Sequence, residues 1–132
     1  MMISRPLLLA ACFLLSLQAL SAQKQDNVWY FGYKVGIDFN GPSPVVLTDG
    51  KMVTQEGCAS IADRNTGKLL FYTDGDSVWN RNHGTMLNGY GLYGHYSSTQ
   101  SALIVPMPGD TTRYFIFTSD AARNKDTEGK GI

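Results

Sequence analysis

Two segments of the chain repeat the same order of strand, turn and strand, and this repetition constrains the fold most strongly. The residues GCASI at 57–61 correspond to QSALI at 100–104, which lie 43 residues later. The residues LFYTD at 70–74 correspond to FIFTS at 115–119, which lie 45 residues later because the second turn is two residues longer. A hairpin unit that recurs about every 40–50 residues is typical of β-propeller blades. The sequence therefore predicts an all-β fold, a partial β-propeller of about two to three blades, with a β-sandwich of unrelated hairpins as the alternative.

Three hairpins are predicted from turn residues between apolar runs. The first covers 45–54 and turns at Asp49-Gly50, because this pair favours the positive φ angles of a two-residue turn. The second covers 58–73 and closes at Gly67, and the third covers 99–118. Pro106 and Pro108 are placed in the turn of the third hairpin, because proline has no N–H to donate to a strand pair.

Two of these strands have no polar face. The runs LLFY at 69–72 and YFIF at 114–117 are apolar at every position. Strands of this kind are usually covered on both faces, so we expect both runs to lie between stacked sheets.

The first 22 residues have the pattern of a secretory signal peptide. Arg5 supplies the positive charge, the apolar run at 6–17 is shorter than a membrane span, and small residues precede Gln23. We expect cleavage before Gln23, which leaves a region at 23–132 without a membrane span. The alternatives are an uncleaved membrane anchor and lipidation of Cys12, which ends a lipobox-like LAAC.

The expected mature chain is nearly neutral and is short for a propeller. The full chain has 11 basic and 11 acidic side chains, so it has no strong field for nucleic acid or anionic lipid. The region at 23–132 provides only about 2.5 blades at roughly 40–45 residues each. We therefore expect this propeller-like region to be incomplete as a folding unit.

A glycine-rich segment contains the candidate binding residues. Tyr90, Tyr93 and Tyr96 are spaced three residues apart among glycines at 89, 91 and 94. Exposed aromatic rings on such loops can stack on sugar faces or contact another protein. The alternative is that the three rings pack over the end of the sheets.

The remaining polar residues do not form a catalytic or metal-binding pattern. His83 and His95 are the only histidines and are predicted to be surface loop residues, while Cys58 has small and apolar neighbours and is predicted to be structural. The segment at 72–79 resembles an Asp-box, and Asp74 is predicted to form an Asx-type turn, with calcium binding as the alternative. We therefore expect no enzymatic activity, no cofactor and no metal.

An ordered series of motifs resembles the N-terminal region of large Bacteroidetes cell-surface or secreted proteins. These proteins are often labelled gliding-motility-associated or PKD-domain-containing. The matching motifs cover most of residues 23–120 and are NVWYFG at 27–32, GIDFN at 36–40, LTDG at 47–50, EGCASI at 56–61, LFYTDG at 70–75, VWNRNH at 78–83 and STQSA at 98–102.

The resemblance implies a function as well as a fold. It implies a β-propeller-like region followed by immunoglobulin-like modules and a sorting domain for type IX secretion, and it supplies no catalytic residues. Since the chain ends at Ile132 without those modules, we expect a truncated member of the family. The expected function is a non-enzymatic interaction or scaffold segment in gliding or adhesion, outside the cell or at its surface, with the periplasm as an alternative. Its expected partners are cell-surface proteins or glycans. The alternative functions are the N-terminal fragment of a glycosidase-like propeller hydrolase and a stand-alone β-sandwich binding module.

Overall fold

The computed structural model describes residues 23–121 as an all-β fold, which confirms the predicted class. The predicted signal peptide at 1–22, including Cys12, lies outside the described residues. Eight strands occur in the described part of the chain: β1 (Val28–Phe31), β2 (Val35–Asp38), β3 (Val45–Leu47), β4 (Ala59–Ala62), β5 (Leu69–Thr73), β6 (Val78–Asn80), β7 (Ala102–Pro106) and β8 (Tyr114–Thr118). None of these residues forms a helix that is long and apolar enough to cross a membrane.

The strands form three small antiparallel sheets in chain order. The first sheet is β1-β2-β3, the second is β4-β5-β6, and the third is the hairpin β7-β8. Each strand pairs with the strand that follows it in its sheet, so every connection within a sheet is local. The second sheet contains an irregularity between Ile61 and Ala62, where its register shifts.

Two hydrophobic cores join the sheets, and the second sheet lies between them. The first core contains Val28 and Tyr30 of the first sheet against Tyr72 of the second sheet. The second core contains Phe71 of the second sheet, with Ile116 of the third sheet packed against it. Because successive residues of a strand point to opposite faces, the neighbours Phe71 and Tyr72 are buried in different cores. The prediction that the run at 69–72 is covered on both faces is therefore confirmed.

The first strand of each sheet lies beside the first strand of the next. β4 contacts β1 on one side and β7 on the other. The three sheets are therefore stacked in chain order, and their first strands lie next to one another along one side of the stack.

Both ends of the stack expose an apolar sheet face. We define the first outer face as Trp29, Phe31, Val35, Ile37 and Val46, which lie on the side of the first sheet that points away from the first core. We define the second outer face as Leu103, Val105, Phe115 and Phe117, which lie on the side of the third sheet that points away from the second core. Trp29 is 50% exposed and Phe117 is 58% exposed. The prediction that the run at 114–117 is covered on both faces is therefore wrong, because nothing in the described chain lies beyond the third sheet.

The three predicted hairpins had different outcomes. The hairpin at 58–73 is confirmed as β4-β5, and Gly67 has the left-handed φ of 74° that its loop requires. The hairpin at 45–54 is wrong, because β3 pairs with β2 and Gly50 does not have a positive φ. The hairpin at 99–118 is confirmed as β7-β8, but Pro106 belongs to the strand, where it is the last residue and pairs with Tyr114. A proline is tolerated there because the strand ends at that position.

The sequence repeat corresponds to two hairpins that face each other. Ile61 and Phe71 line the second core from the second sheet, and their counterparts Ile104 and Ile116 line the same core from the third sheet. A repeat that propagates along a stack would place counterparts on the same side of successive sheets. Since the counterparts here face each other across one core, the repeat by itself favours a sandwich-like pair of hairpins over blades that repeat along a stack.

Candidate functional site

The predicted tyrosines lie on one long segment between β6 and β7, which we call the tyrosine loop (residues 84–97). Tyr90, Tyr93 and Tyr96 are 69%, 60% and 53% exposed. No two of these three rings stack on each other among the described residues. Tyr96 instead lies against His95, with ring centroids 4.4 Å apart. The three rings are thus accessible but do not form a single stacking platform, and their role in binding stays a prediction.

Backbone hydrogen bonds attach the tyrosine loop to the sheets. The carbonyl oxygen of Tyr96 accepts bonds from the backbone N–H of Gln55 and the hydroxyl of Thr54, both at 3.1 Å. The N–H of Gly94 donates to the carbonyl of Gly75 at 2.9 Å. A side chain at Gly94 would collide with the backbone of Gly75, so only glycine permits this close approach. The loop is therefore held by the connection between β3 and β4 and by the turn between β5 and β6, rather than projecting freely.

A chain of hydrogen bonds connects the first and second sheets, and we call it the Tyr72–His83–Asp49 chain. The Tyr72 hydroxyl lies 3.2 Å from Nδ1 of His83, and Nε2 of His83 lies 3.2 Å from a carboxylate oxygen of Asp49. The other carboxylate oxygen of Asp49 accepts a 2.7 Å hydrogen bond from the Tyr30 hydroxyl. The Tyr72 hydroxyl also accepts a bond from the backbone N–H of Lys51 at 3.0 Å. Each of these groups has a hydrogen-bond partner when His83 carries its proton on Nε2.

Burial, hydrogen bonds and neighbouring charges explain the shifted pKa values within the Tyr72–His83–Asp49 chain. Burial raises the pKa of Tyr30 well above its usual value, and the neighbouring Asp49 raises it further. The hydrogen bond from Tyr30 holds the pKa of Asp49 below its usual value. Burial also raises the pKa of Tyr72. Both tyrosines therefore remain protonated donors, and Asp49 remains a carboxylate acceptor, over the neutral pH range.

This arrangement joins the first sheet to the second. Both ring nitrogens of His83 have partners, and Tyr72 is fully buried beneath stacked rings, with Tyr30 at 4.6 Å and Trp79 at 5.4 Å. His83 lies in a loop, as predicted, but its side chain is only 16% exposed, so the prediction that it is a surface residue is wrong. His83 has a φ of 62°, a strained conformation for a residue other than glycine, and these hydrogen bonds offset that strain.

The comparisons with protein families, with curated proteins and with solved structures find no match for this chain.

Several clefts open between the sheets, and two of them bear on the candidate site. The first has a volume of about 580 Å³, lies between the second and third sheets, and has an apolar floor that includes Leu70, Phe71 and Tyr114. The second has a volume of about 550 Å³, lies above the Tyr72–His83–Asp49 chain, and has Lys68 and Arg81 at its rim. Sequence reasoning missed both clefts, because each is formed by residues from different sheets.

The remaining candidate residues, Cys58 and Asp74, have environments that are typical of structural roles. The Cys58 thiol is partly buried and donates to the carbonyl of Tyr30 at 3.6 Å, and burial raises its pKa. Asp74 accepts hydrogen bonds from the backbone N–H groups of Asp76 and Ser77, which is the predicted Asx-type turn. Within residues 23–121, no three His, Cys, Asp or Glu side chains come together as metal ligands.

Proposed function

We propose that this chain is an exported, non-enzymatic interaction and scaffold segment whose stacked sheets are completed by a further β-structure. The observation that carries the proposal is the pair of apolar outer faces at opposite ends of the stack. The adjacency of β1, β4 and β7 supports a propeller-like arrangement, since propeller blades place their first strands around a shared axis. Export is proposed from the signal-peptide pattern at 1–22.

The exposed faces are too apolar for a surface that stays in water. Neither outer face contains a charged side chain, and each combines aromatic with β-branched or leucine residues. Soluble monomers rarely expose contiguous apolar patches of more than a few hundred Å² unless the patch binds something. Covering a few hundred Å² at roughly 25 cal/mol per Å² is worth several kcal/mol. That is comparable to the whole stability of a small domain, so a partner on these faces would stabilise the fold substantially.

The proposed interaction role is tested in cells by site-specific photocrosslinking. A photoreactive phenylalanine is placed at Phe117 on the second outer face, and a control is placed at Leu87, which is 95% exposed on the tyrosine loop. Cells of a Bacteroidetes host are irradiated and fractionated, and the crosslinks and N-terminus are identified by mass spectrometry. We expect an N-terminus at Gln23, material in the envelope or medium, and specific crosslinks from position 117 only. Retention in the cytoplasm, or equal crosslinking from both positions, would refute the proposal.

The exposed tyrosines support glycan contact as a second candidate function. All three rings are more than half exposed on a loop that the sheets hold in place. A glycan array with the purified chain tests this, with a triple Tyr90→Ala, Tyr93→Ala and Tyr96→Ala variant beside it. Capture that the triple variant loses would support glycan binding, whereas release of a hydrolysis product would favour the propeller-hydrolase alternative.

A further inference from the structure

We propose that the cleft between the first and second sheets, which we call the polar cleft, binds an uncharged saccharide. It has a volume of about 550 Å³, and its lining includes Val28, Leu47, Lys68, Leu69, Arg81 and Asn82. The inference goes beyond the proposed function, because the lining includes no residue of either outer face and none of the tyrosine loop at 84–97.

The polar cleft has the size and the mixed lining of a small-ligand site. Such sites usually occupy about 300–1,000 Å³ and combine an apolar floor with a few placed polar groups. Here Val28 and Leu47 of the first sheet and Leu69 of the second sheet supply aliphatic surface. The C–H groups of a sugar ring can pack on this surface, while its hydroxyl groups need polar partners.

The charged groups around the polar cleft decide between ligand classes. Its lining includes the carboxylates of Asp38 and Asp49 and the cations of Lys68 and Arg81, so the charges balance. An anion such as phosphate is attracted by the two cations but repelled by the two carboxylates, and a cation meets the reverse. An apolar ligand would remove charged groups from water without giving them hydrogen bonds. Uncharged hydroxyl groups can donate to the carboxylates and accept from the cations, so a saccharide suits all four groups.

Three exposed side chains supply hydrogen-bond donors for such a ligand. These side chains belong to Lys68, Arg81 and Asn82. Lys68 and Asn82 are tied into the fold through backbone groups, which leaves their side chains for a ligand. Neither Lys68 nor Arg81 takes part in the ion pairs found within residues 23–121.

The turn that carries Arg81 and Asn82 is fixed by the preceding Asn80. Oδ1 of Asn80 accepts hydrogen bonds from the N–H of Asn82 at 2.8 Å and from the N–H of Gly84 at 3.1 Å. The carbonyl oxygen of Asn80 accepts a third bond from the N–H of His83 at 2.9 Å. Because the turn is already ordered, less conformational entropy is lost when Arg81 and Asn82 bind a ligand.

Two contacts between the sheets keep the polar cleft open at a set width. Nδ2 of Asn40, which follows β2, donates to the carbonyl of Gly67 in the β4-β5 loop at 2.9 Å. Nε2 of His83, which follows β6, lies 3.2 Å from a carboxylate oxygen of Asp49, which follows β3. The cleft therefore exists before any ligand enters it.

The test is isothermal titration calorimetry of the full chain with defined sugars. The uncharged probes are tetrasaccharides of glucose, mannose, galactose and xylose, and the charged probes are tetragalacturonate and inorganic phosphate. We expect saturable binding of at least one uncharged tetrasaccharide at one site per chain, and weaker or no binding of both charged probes. Raising the NaCl concentration from about 50 mM to about 500 mM should change the Kd for the uncharged sugar by less than about twofold, because salt screens interactions between charges.

A repeated dipeptide in the chain supplies a matched control. The double variant Arg81→Ala with Asn82→Ala removes two donors from the polar cleft, and Arg64→Ala with Asn65→Ala removes the same two exposed side chains from the β4-β5 loop outside it. Losing two hydrogen bonds should raise the Kd about tenfold or more, and the control should leave it unchanged. Circular dichroism shows whether each variant is folded, and Lys68→Ala, which should raise the Kd about threefold or more, replaces the double variant if that variant does not fold.

Four results would overturn the proposal. These are the absence of binding by every uncharged tetrasaccharide, tighter binding of tetragalacturonate or phosphate, a Kd that rises equally in the cleft variant and its control, and a Kd that the cleft variant leaves unchanged. Sugar binding that the triple tyrosine variant loses and the cleft variant retains would overturn this site and leave the tyrosine loop as the glycan contact. Crosslinking through position 117 concerns a different surface, so the proposed function is tested separately.

Discussion

Replacing Tyr72 with phenylalanine isolates the contribution of the hydrogen-bond chain between the first and second sheets. The substitution keeps the ring, which stacks at 4.6 Å on Tyr30 and at 5.4 Å on Trp79. It removes only the hydroxyl, which accepts a hydrogen bond from Lys51 at 3.0 Å and lies 3.2 Å from Nδ1 of His83. The change in stability therefore reports the two hydrogen bonds rather than a loss of packing.

The expected cost follows from those two bonds. A typical intramolecular hydrogen bond contributes about 1 kcal/mol net to stability, and a buried group left without a partner costs somewhat more. Losing both bonds should lower the free energy of unfolding by about 2 kcal/mol. For a domain of this size, each kcal/mol corresponds to a decrease in Tm of about 4–8 °C.

The measurement is chemical and thermal unfolding of the full chain followed by circular dichroism. Tyr114→Phe is the matched control, because the ring of Tyr114 also packs on a neighbouring ring, that of Phe71 at 5.3 Å, while its hydroxyl is not part of the Tyr72–His83–Asp49 chain. We expect the control to change the free energy of unfolding by less than about 0.5 kcal/mol. If Tyr72→Phe is as mild as the control, the Tyr72–His83–Asp49 chain does not stabilise the contact between the sheets.

Three further predictions concern the stability of the fold, its dependence on pH and the accessibility of the Cys58 thiol. Gly57→Ala should destabilise the fold by about 1–3 kcal/mol in the same unfolding assay, because its Cβ would lie 2.6 Å from the carbonyl oxygen of Ser98; Gly41→Ala, whose nearest contact would be 3.5 Å away, should be nearly neutral. The pKa of Asp49 is lowered in the folded state by its hydrogen bonds, so the stability that it contributes is present above its ordinary pKa and should be lost as the pH falls through the lower folded value. Asp49→Asn should therefore flatten the dependence of Tm on pH below about pH 4, and an unchanged profile would contradict this assignment. Cys58 should react slowly with a maleimide in the folded chain and rapidly in denaturant, because its thiol is partly buried and burial raises its pKa; rapid labelling without denaturant would show that the thiol is accessible.

The residues within a turn correctly predicted a hairpin where that turn requires one particular backbone conformation. The loop of β4-β5 closes at Gly67, and the side chain of Asp63 caps that loop by accepting bonds from Asn65 and Thr66. These interactions span only a few residues, so the sequence contains them. The strand-forming character of β7 and β8 was visible for the same reason.

The failed hairpin shows where local chemistry is insufficient. Asp49-Gly50 has the composition of a tight turn, but both residues instead contact Tyr30. The Tyr30 hydroxyl donates to Asp49, and a side chain at Gly50 would lie 2.9 Å from the Tyr30 ring. Glycine is required there for close packing rather than for a positive φ. Nothing in the nearby sequence distinguishes these two requirements.

The Tyr72–His83–Asp49 chain could not be predicted either, because its members are distant in sequence and belong to different sheets. Asp49 follows β3, Tyr72 lies in β5, and His83 follows β6. No spacing rule relates these positions, since their contact depends on how the first and second sheets are stacked. The tyrosine loop was visible as a composition pattern, but its attachment to Thr54 and Gln55 was not.

The stacking of the sheets places the two tryptophans of this chain in different environments, one in contact with solvent and the other packed against the first core. Trp29 is half exposed on the first outer face, whereas Trp79 stacks on Tyr72 and packs against the first core. Emission from Trp29 should shift to the blue whenever a partner removes water from its face. Emission from Trp79 should shift to the red only when the first core opens. The single-tryptophan variants Trp79→Phe and Trp29→Phe therefore allow association and unfolding to be followed separately by intrinsic fluorescence, without any added label.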